Sequence, residues 1–269
     1  MAPNSMESRI LLNNGIEIPV LGLGVWQMSE GKETEEAVLS ALRANYRLID
    51  TAKLYKNEIS VGKSIRESQI PREEIFVTTK LLSADFYRVE AAFEESLSKL
   101  DLGYIDLYLI HWPRPIMKKS IWQKLEKIYE QKMVRAIGVS NYTVSNLKDL
   151  LSYANIPPAV NQIELNPFSY EKELLDFCQK NKITIEAYSP LNRGRNLNHP
   201  LLQKISQEYG KTPAQILIRW ALEHETIPIP KSSNEKRIRE NAAVFDFTIS
   251  PSDIESLNRL SGKNSVRDI

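Results

Sequence analysis

Eight short apolar runs recur along this chain, each followed by a longer amphipathic stretch, and that recurrence constrains the fold more than any other feature. The runs cover 19–24, 46–50, 75–80, 105–111, 135–140, 159–164, 183–188 and 226–230. Most of their last residues are about 24 to 31 positions apart, the span of one strand–helix–strand step. The final gap, about 42 positions, leaves room for an additional helix. Between the runs the period changes. Ile121, Trp122, Leu125, Ile128 and Tyr129 form one helical stripe within 118–132. Thr212 and Pro213 supply a cap and a first-turn proline for a helix over 214–224. Strands alternating with helices imply a parallel sheet, and most simply a closed (β/α)8 TIM barrel; a doubly wound open sheet is the alternative.

Ahead of the repeat, Ile10-Leu11-Leu12 and Ile16-Glu17-Ile18 flank Asn13-Asn14-Gly15. This reads as an N-terminal β-hairpin plugging the bottom of the barrel. A chain of 269 residues suits one domain of this kind. No linker or shift of composition divides it, so 9–269 is expected to be a single domain. Residues 1–8 are expected to be a disordered or appended extension.

The ends of the runs carry the chemistry. Leu48-Ile49 stops at Asp50, with Tyr55 five residues on; Ile75-Phe76-Val77-Thr78-Thr79 stops at Lys80; and Ile105 to Ile110 stops at His111. Gly24 and Trp26, Trp112, Ser140 and Asn141, Gln162 and Glu164, Tyr188 and Ser189, and Lys231 occupy the corresponding places elsewhere. In a barrel, functional groups gather at the carboxyl ends of the strands. Each residue alone has an ordinary explanation, such as a helix cap or a surface ammonium. The coincidence of carboxylate, phenol, amine and imidazole on three successive strands points instead to one site.

Charge and composition narrow the class. Thirty-five Lys and Arg nearly balance thirty-four Asp and Glu, so no basic field implies nucleic acid. No apolar stretch spans a bilayer, and the N-terminus does not resemble a secretory signal. The single cysteine, Cys178, sits in a helical apolar pattern, as a buried thiol would. A reducing cytoplasmic location fits that usage. With three His and one Cys, no metal site is expected.

The chemistry these groups support is proton donation to a developing alkoxide. A free phenol, with a pKa of about 10, is a poor acid near neutrality. A buried Lys80 ammonium beside Tyr55 would favour the phenolate, Asp50 would hold that ammonium, and His111 would hydrogen-bond a substrate oxygen. Reducing a carbonyl also needs a hydride, for which a nicotinamide cofactor is the common donor. Gly22-Leu23-Gly24-Val25-Trp26-Gln27 lacks a third glycine, which disfavours a Rossmann site. Lys231-Ser232-Ser233-Asn234-Glu235-Lys236-Arg237 follows the last strand, at the usual phosphate corner of such barrels. Lys231 and Arg237 would suit an extra ribose phosphate. Tyr188 would stack on a nicotinamide.

At this point the sequence resembles the aldo-keto reductase family, from about residue 9 to residue 260. The resemblance rests on several separated motifs in order. They are Leu48-Ile49-Asp50-Thr51-Ala52 with Tyr55-Lys56-Asn57-Glu58, Val77 to Lys80, Leu100 to Leu107, Ile110-His111-Trp112-Pro113 and Gly138 to Asn141. Then come Asn161-Gln162, Ala187 to Leu191, and Ile229-Pro230-Lys231-Ser232 with Arg237-Ile238 and Glu240-Asn241. The resemblance implies a monomeric barrel that reduces aldehydes and ketones with NADPH. Tyr55 would be the general acid, tuned by Lys80 and Asp50, with His111 orienting the carbonyl. Ser140, Asn141 and Gln162 would hold the nicotinamide amide and Tyr188 stack on its ring. Ser189 and Leu191 would line the pyrophosphate. Lys231, Ser232 and Arg237 would take the 2′-phosphate, and Glu240 and Asn241 the adenine. Gly24 and Val25 would lie near the ribose, and Trp26 and Trp112 would wall the substrate.

Within the family the chain is most similar to the short microbial branch, with its 2,5-diketogluconate reductase-like and glyoxal reductase-like members. Leu82 and Asn192 depart from the family pattern, at a position often aromatic and at a glycine. Two other functions fit the same residues less well. A lyase using Lys80 as an imine-forming nucleophile needs a neutral amine, which Asp50 opposes. A cofactor-binding regulatory subunit needs no complete set of four.

Overall fold

The apolar runs become strands and the amphipathic stretches become helices. The computed structural model describes residues 3–261; residues 1 and 2 of the expected extension and 262–269 of the expected domain lie outside the described residues. The strands, in order, are β1 (Arg9–Leu11), β2 (Glu17–Pro19), β3 (Leu23–Gly24), β4 (Leu48–Asp50), β5 (Phe76–Leu81), β6 (Ile105–Ile110), β7 (Val134–Ser140), β8 (Val160–Glu164), β9 (Thr184–Tyr188) and β10 (Ile227–Pro228). The helices are α1 (Lys32–Arg43), α2 (Glu58–Glu67), α3 (Val89–Leu100), α4 (Lys118–Glu130), α5 (Val144–Leu151), α6 (Lys172–Lys180), α7 (Pro200–Tyr209), α8 (Pro213–Glu223), α9 (Glu235–Ala242) and α10 (Pro251–Asn258). The long gap before β10 holds two helices, α7 and α8, as its length required.

β3 to β10 form one eight-stranded parallel sheet in sequence order. Its two edges meet. Gly22 N donates to Pro228 O at 3.1 Å and Gly24 N to Pro230 O at 3.3 Å, so the sheet closes on itself. A Cβ at Gly24 would lie 2.9 Å from the Ile229 carbonyl oxygen, so this seam closes only over a glycine. The two seam strands are shorter than the runs 19–24 and 226–230. Pro19 belongs to the hairpin, opposite Arg9, and Pro228 and Pro230 have no N–H to give the ladder.

Alternation along each strand sends one set of side chains outward and the other inward. The outward set packs against the helices; the inward set fills the barrel. Leu48, Phe76, Leu107, Leu109, Ala136, Val160, Ile227 and Ile229 form the inner cluster, and Leu12 and Ile18 of the hairpin join it as the plug. The hairpin turn itself differs from a tight Asn-Gly turn with both residues left-handed. Gly15 alone is in the left-handed region, at φ 85°, with Gly15 N bonded to Leu12 O and Leu12 N to Ile16 O. This is the longer turn with a glycine bulge.

α4 buries the expected stripe, with Ile121, Trp122, Leu125 and Ile128 buried and Tyr129 partly so. α8 starts with a capping box between Thr212 and Gln215, and Pro213 in its first turn. Cys178 is buried in α6, where burial pushes its thiol up to about 11. No helix of the described residues is long and apolar enough to cross a membrane.

Candidate active site

Lys80 stands on β5 with its side chain turned into the barrel and no exposed surface. Its ammonium donates to both carboxylate oxygens of Asp50, at 2.8 and 2.7 Å, and to the Thr51 carbonyl at 2.8 Å. It also lies 3.4 Å from the Tyr55 hydroxyl. Burial opposes the ammonium, but Asp50 and the facing phenol outweigh it and raise the Lys80 pKa. Burial pushes the Asp50 carboxyl up, and the ammonium and the Gln162 amide oppose that shift. A buried carboxylate and a buried ammonium are each tenable only as this pair. Imine chemistry would need the amine neutral, against the direction found here.

Tyr55 reaches this pair from a single 3-10 turn, Lys53–Tyr55, that follows β4. The turn is anchored on every side. Thr51 Oγ1 donates to Asn57 Oδ1, and Asn57 Nδ2 donates to the Val25 and Met28 carbonyls. Thr79 Oγ1 donates to Glu58 Oε1. Lys53 pairs with Asp85 at 2.9 Å and Glu95 at 2.7 Å, tying the turn to α3. The pKa of Tyr55 departs from the expectation. The Lys80 ammonium does pull it down, but burial is the larger effect and leaves it above the ordinary phenol value. Asp50 and Glu186 add to the upward push.

His111, the residue just past β6, packs its ring edge-on to Tyr55 with centroids 5.8 Å apart. Burial, with help from Lys80, brings its pKa down to about 3, so its imidazole is neutral. Its Nδ1 has no partner among the described residues, and its carbonyl accepts from Asn141 Nδ2 at 3.0 Å.

The next three strands bring a second polar group to the same rim. Ser140 Oγ donates to the Gln162 carbonyl, Asn141 Nδ2 to Ser140 Oγ, and Tyr188 Oη to Asn141 Oδ1 at 2.8 Å. Asn141 takes a left-handed backbone, φ 64°, at the strand-to-loop transition. Gln162 joins the two groups. Its Nε2 donates to Asp50 Oδ2 at 2.7 Å and to Glu186 Oε2 at 2.6 Å. Both amide hydrogens are therefore committed, and only its carbonyl oxygen is left for a ligand.

The remaining residues singled out in the sequence lie on the same carboxyl side. Gly24 pairs with Asp50 across β3 and β4, and Val25 N donates to Asp50 O. Trp26 is partly buried under the Arg193 guanidinium, 4.9 Å from its ring centroid. Trp112 is half exposed. Ser189, Asn192 and Arg193 all take left-handed backbones in the loop after β9, where Leu191 is partly buried. Leu82 caps the 3-10 turn after β5.

A separate group follows β10. Lys231 and Arg237 are exposed and Ser232 is buried, with Ser232 Oγ accepting from Asn234 N. Neither cation forms an ion pair among the described residues, in contrast to Arg239, which pairs with Glu235. Glu240 accepts from Thr212 Oγ1 at 2.8 Å, and Asn241 is buried.

Residues 20–261 match the sequence profile of the aldo/keto reductase family. The chain belongs to that family. It is 47% identical over 262 residues to an uncharacterized oxidoreductase, YtbE, of Bacillus subtilis, covering 95% of this chain and 94% of that one. A glyoxal reductase of the same organism is 45% identical over 266 residues, covering 98% and 96%. The crystal structure of a Bombyx mori aldo-keto reductase in complex with NADP superposes with a TM-score of 0.88 at 36% identity, covering 96% of this chain and 94% of that one.

This aldo/keto reductase buries a further acid against the site, one that stands outside the strand-end pattern. Glu186 of β9 has no exposed surface and touches the site through Gln162. The signal was present in the sequence. A carboxylate stands in the middle of Ile183-Thr184-Ile185-Glu186-Ala187-Tyr188, two residues from Tyr188 and so on the same face of the strand. Asn57 and Glu58, part of the Tyr55-Lys56-Asn57-Glu58 motif, anchor the turn that carries Tyr55.

Proposed function

We propose that this protein reduces aldehydes and ketones to alcohols with NADPH, Tyr55 acting as general acid. The observation that carries the reading is the fully buried Lys80 ammonium, shared between Asp50 and the Tyr55 hydroxyl at the carboxyl end of the barrel. The glyoxal reductase relative and the NADP complex of the structural neighbour support it.

The residues fit the cofactor. Lys231 and Arg237 are exposed cations that form no contact ion pair among the described residues, although Lys231 acts at longer range on Glu33, and they stand beside the buried Ser232 hydroxyl, as a ribose 2′-phosphate requires. Gln162 has only its carbonyl oxygen to offer, which suits the N–H of a carboxamide. Ser140 and Asn141 complete the hold on that amide, and Tyr188 stacks on the ring. Gly24 and Val25 line the ribose, Ser189 and Leu191 the pyrophosphate, and Glu240 and Asn241 the adenine. Bound NADPH supplies the hydride to the carbonyl carbon.

The chain's own side chains manage the proton. Tyr55 Oη gives its proton to the carbonyl oxygen, and the Lys80 ammonium stabilises the phenolate left behind. Asp50 keeps that ammonium charged. His111, neutral, fixes the carbonyl oxygen by a hydrogen bond, while Trp26 and Trp112 wall the substrate.

The test is NADPH consumption against a panel of dicarbonyls, simple aldehydes, ketoacids and sugars, repeated with NADH and with Tyr55→Phe. Turnover with NADPH, its loss in Tyr55→Phe and retained NADPH binding by that variant are expected. Wild-type rates in Tyr55→Phe would overturn the assignment of the acid.

A further inference from the structure

Glu186 is a buried ionisable group in contact with the active-site network that the proposed reaction leaves without a task. It faces into the barrel, because Ile185 and Ala187 on either side of it pack outward against the helices. Its Oε2 accepts the Gln162 amide at 2.6 Å, and its Oε1 is buried without a hydrogen-bond partner. The same Gln162 nitrogen holds Asp50 Oδ2 at 2.7 Å. Two carboxyl groups therefore sit on one amide nitrogen, with a single ammonium, Lys80, to balance them.

The titratable and charged groups acting on Glu186 are Asp50 from β4 and Lys80 from β5, and Glu186 in turn acts on Tyr55 in the turn after β4. Tyr188 lies two residues on along its own strand. Its neighbours in the sheet are uncharged: Gln162 on β8 and Ile227 on β10. With Asp50 ionised against Lys80, the set is neutral only while Glu186 keeps a proton. The unpartnered Oε1 is the oxygen free to carry it. Losing that proton to solvent would leave two carboxylates sharing one ammonium, an arrangement that buried pairs resist.

We propose that Glu186 is a positioning residue for the reduction: protonated, it holds Gln162 and leaves the Lys80 ammonium to Asp50 and Tyr55; ionised, it weakens Tyr55 as a proton donor. This inference rests on Tyr55 being the acid. The direction follows from charge. An anion at Glu186 disfavours the phenolate that forms as Tyr55 gives up its proton, and its influence on Tyr55 is upward. Burial first, and then Asp50, push the carboxyl up to about 8, so the change falls on the alkaline side of neutrality.

The isosteric variant Glu186→Gln tests this, since its carbonyl can still accept from Gln162 and its charge never changes. The rate of carbonyl reduction by the wild type should fall through an alkaline limb near the Glu186 pKa. In Glu186→Gln the limb should move up by at least about one pH unit, toward the range of Tyr55 itself. A limb that stays in place would overturn the proposal. Infrared difference spectra of the cofactor-free protein, taken between about pH 6 and pH 10, give a second readout that needs no turnover. A protonated-carboxyl band should disappear with rising pH in the wild type and be missing from Glu186→Gln. Spectra showing Glu186 already ionised at the lower pH would overturn the proposal as well. An inactive wild type that still shows the band would sink the reductase reading and leave the protonation of Glu186 standing.

Discussion

Lys80 places its ammonium 3.4 Å from the Tyr55 hydroxyl, and still the phenol stays above its ordinary pKa. Proximity to a cation is opposed here by burial, because the ring sits over the ammonium, 4.9 Å from its centroid, in the mouth of a closed barrel. Tyr55 therefore rests in its protonated form, which is the form a carbonyl reductase needs at the start of each cycle. In the proposed reduction the ammonium acts where charge develops, on the phenolate that would form as the proton leaves.

Replacing Lys80 by Met separates these roles. The variant should lose roughly 10²-fold or more in kcat, the usual scale for a disabled acid. It should also lose roughly 3–5 kcal/mol of stability, because Asp50 is left buried without its partner. The double variant Lys80→Met with Asp50→Asn should recover most of that stability and none of the activity. Denaturant unfolding of the three proteins, beside their steady-state rates, checks both halves. A double variant as unstable as Lys80→Met would mean the pair does not carry the cost.

His111 should contribute no acidic limb to the rate in the ordinary histidine range. Its pKa is about 3, lowered by burial and by Lys80, so the ring is neutral across any practical assay. The same shift has a stability consequence. The folded protein resists protonating His111, whereas the unfolded chain takes the proton near pH 6.5, so stability falls as pH drops from there toward about 3. His111→Asn should flatten that part of the stability curve. The readouts are a kcat profile and thermal unfolding over the acidic range. A rate limb near the ordinary histidine value that vanishes in His111→Asn would contradict a neutral ring.

Lys231 and Arg237 should decide between the two nicotinamide dinucleotides. Each charge-assisted contact to a phosphate is worth roughly 1.5–3 kcal/mol, or about tenfold to a hundredfold in affinity. Replacing both by Ala should raise the NADPH dissociation constant by at least that factor and leave NADH binding nearly unchanged. Fluorescence titration with each cofactor measures this. Equal weakening toward both would place these cations elsewhere than at the 2′-phosphate.

The barrel was legible because its signals are local and repeated. Apolar runs at one spacing, with helical stripes between them, define eight steps whichever residues fill them. The rim was legible for a related reason: Asp50, Lys80 and His111 end three successive runs, and neighbouring parallel strands must bring their ends together. What the sequence concealed depends on the balance of opposing effects across the barrel. Burial against the pull of Lys80 sets the Tyr55 pKa, and neither can be weighed before the depth of the ring is known. Glu186 was concealed differently. Its partners, Gln162 and through it Asp50, lie 24 and 136 positions away in the chain. Only closure of the sheet brings the three together.

Glu186 also makes the stability of the fold depend on pH. Its carboxyl is raised from 4.5 to about 8, by burial first and the nearby Asp50 second. In the unfolded chain it ionises at the ordinary value. Between those two pH values the folded protein holds a proton that the unfolded chain has released. Stability through this group is therefore greatest below about pH 4.5 and declines as pH rises toward 8. At neutral pH the cost amounts to about 2–4 kcal/mol. Glu186→Gln escapes it, because an amide has no charge to lose on burial, while its NH2 takes the place of the unpartnered hydroxyl. The variant should unfold at a higher temperature than the wild type near pH 8, with the advantage shrinking toward zero as pH falls to the ordinary carboxylate range. Paired melting curves across that range provide the measurement. A variant less stable than the wild type at pH 8 would mean that Glu186 is held as a compensated anion, and the charge balance drawn around Lys80 would have to be redrawn.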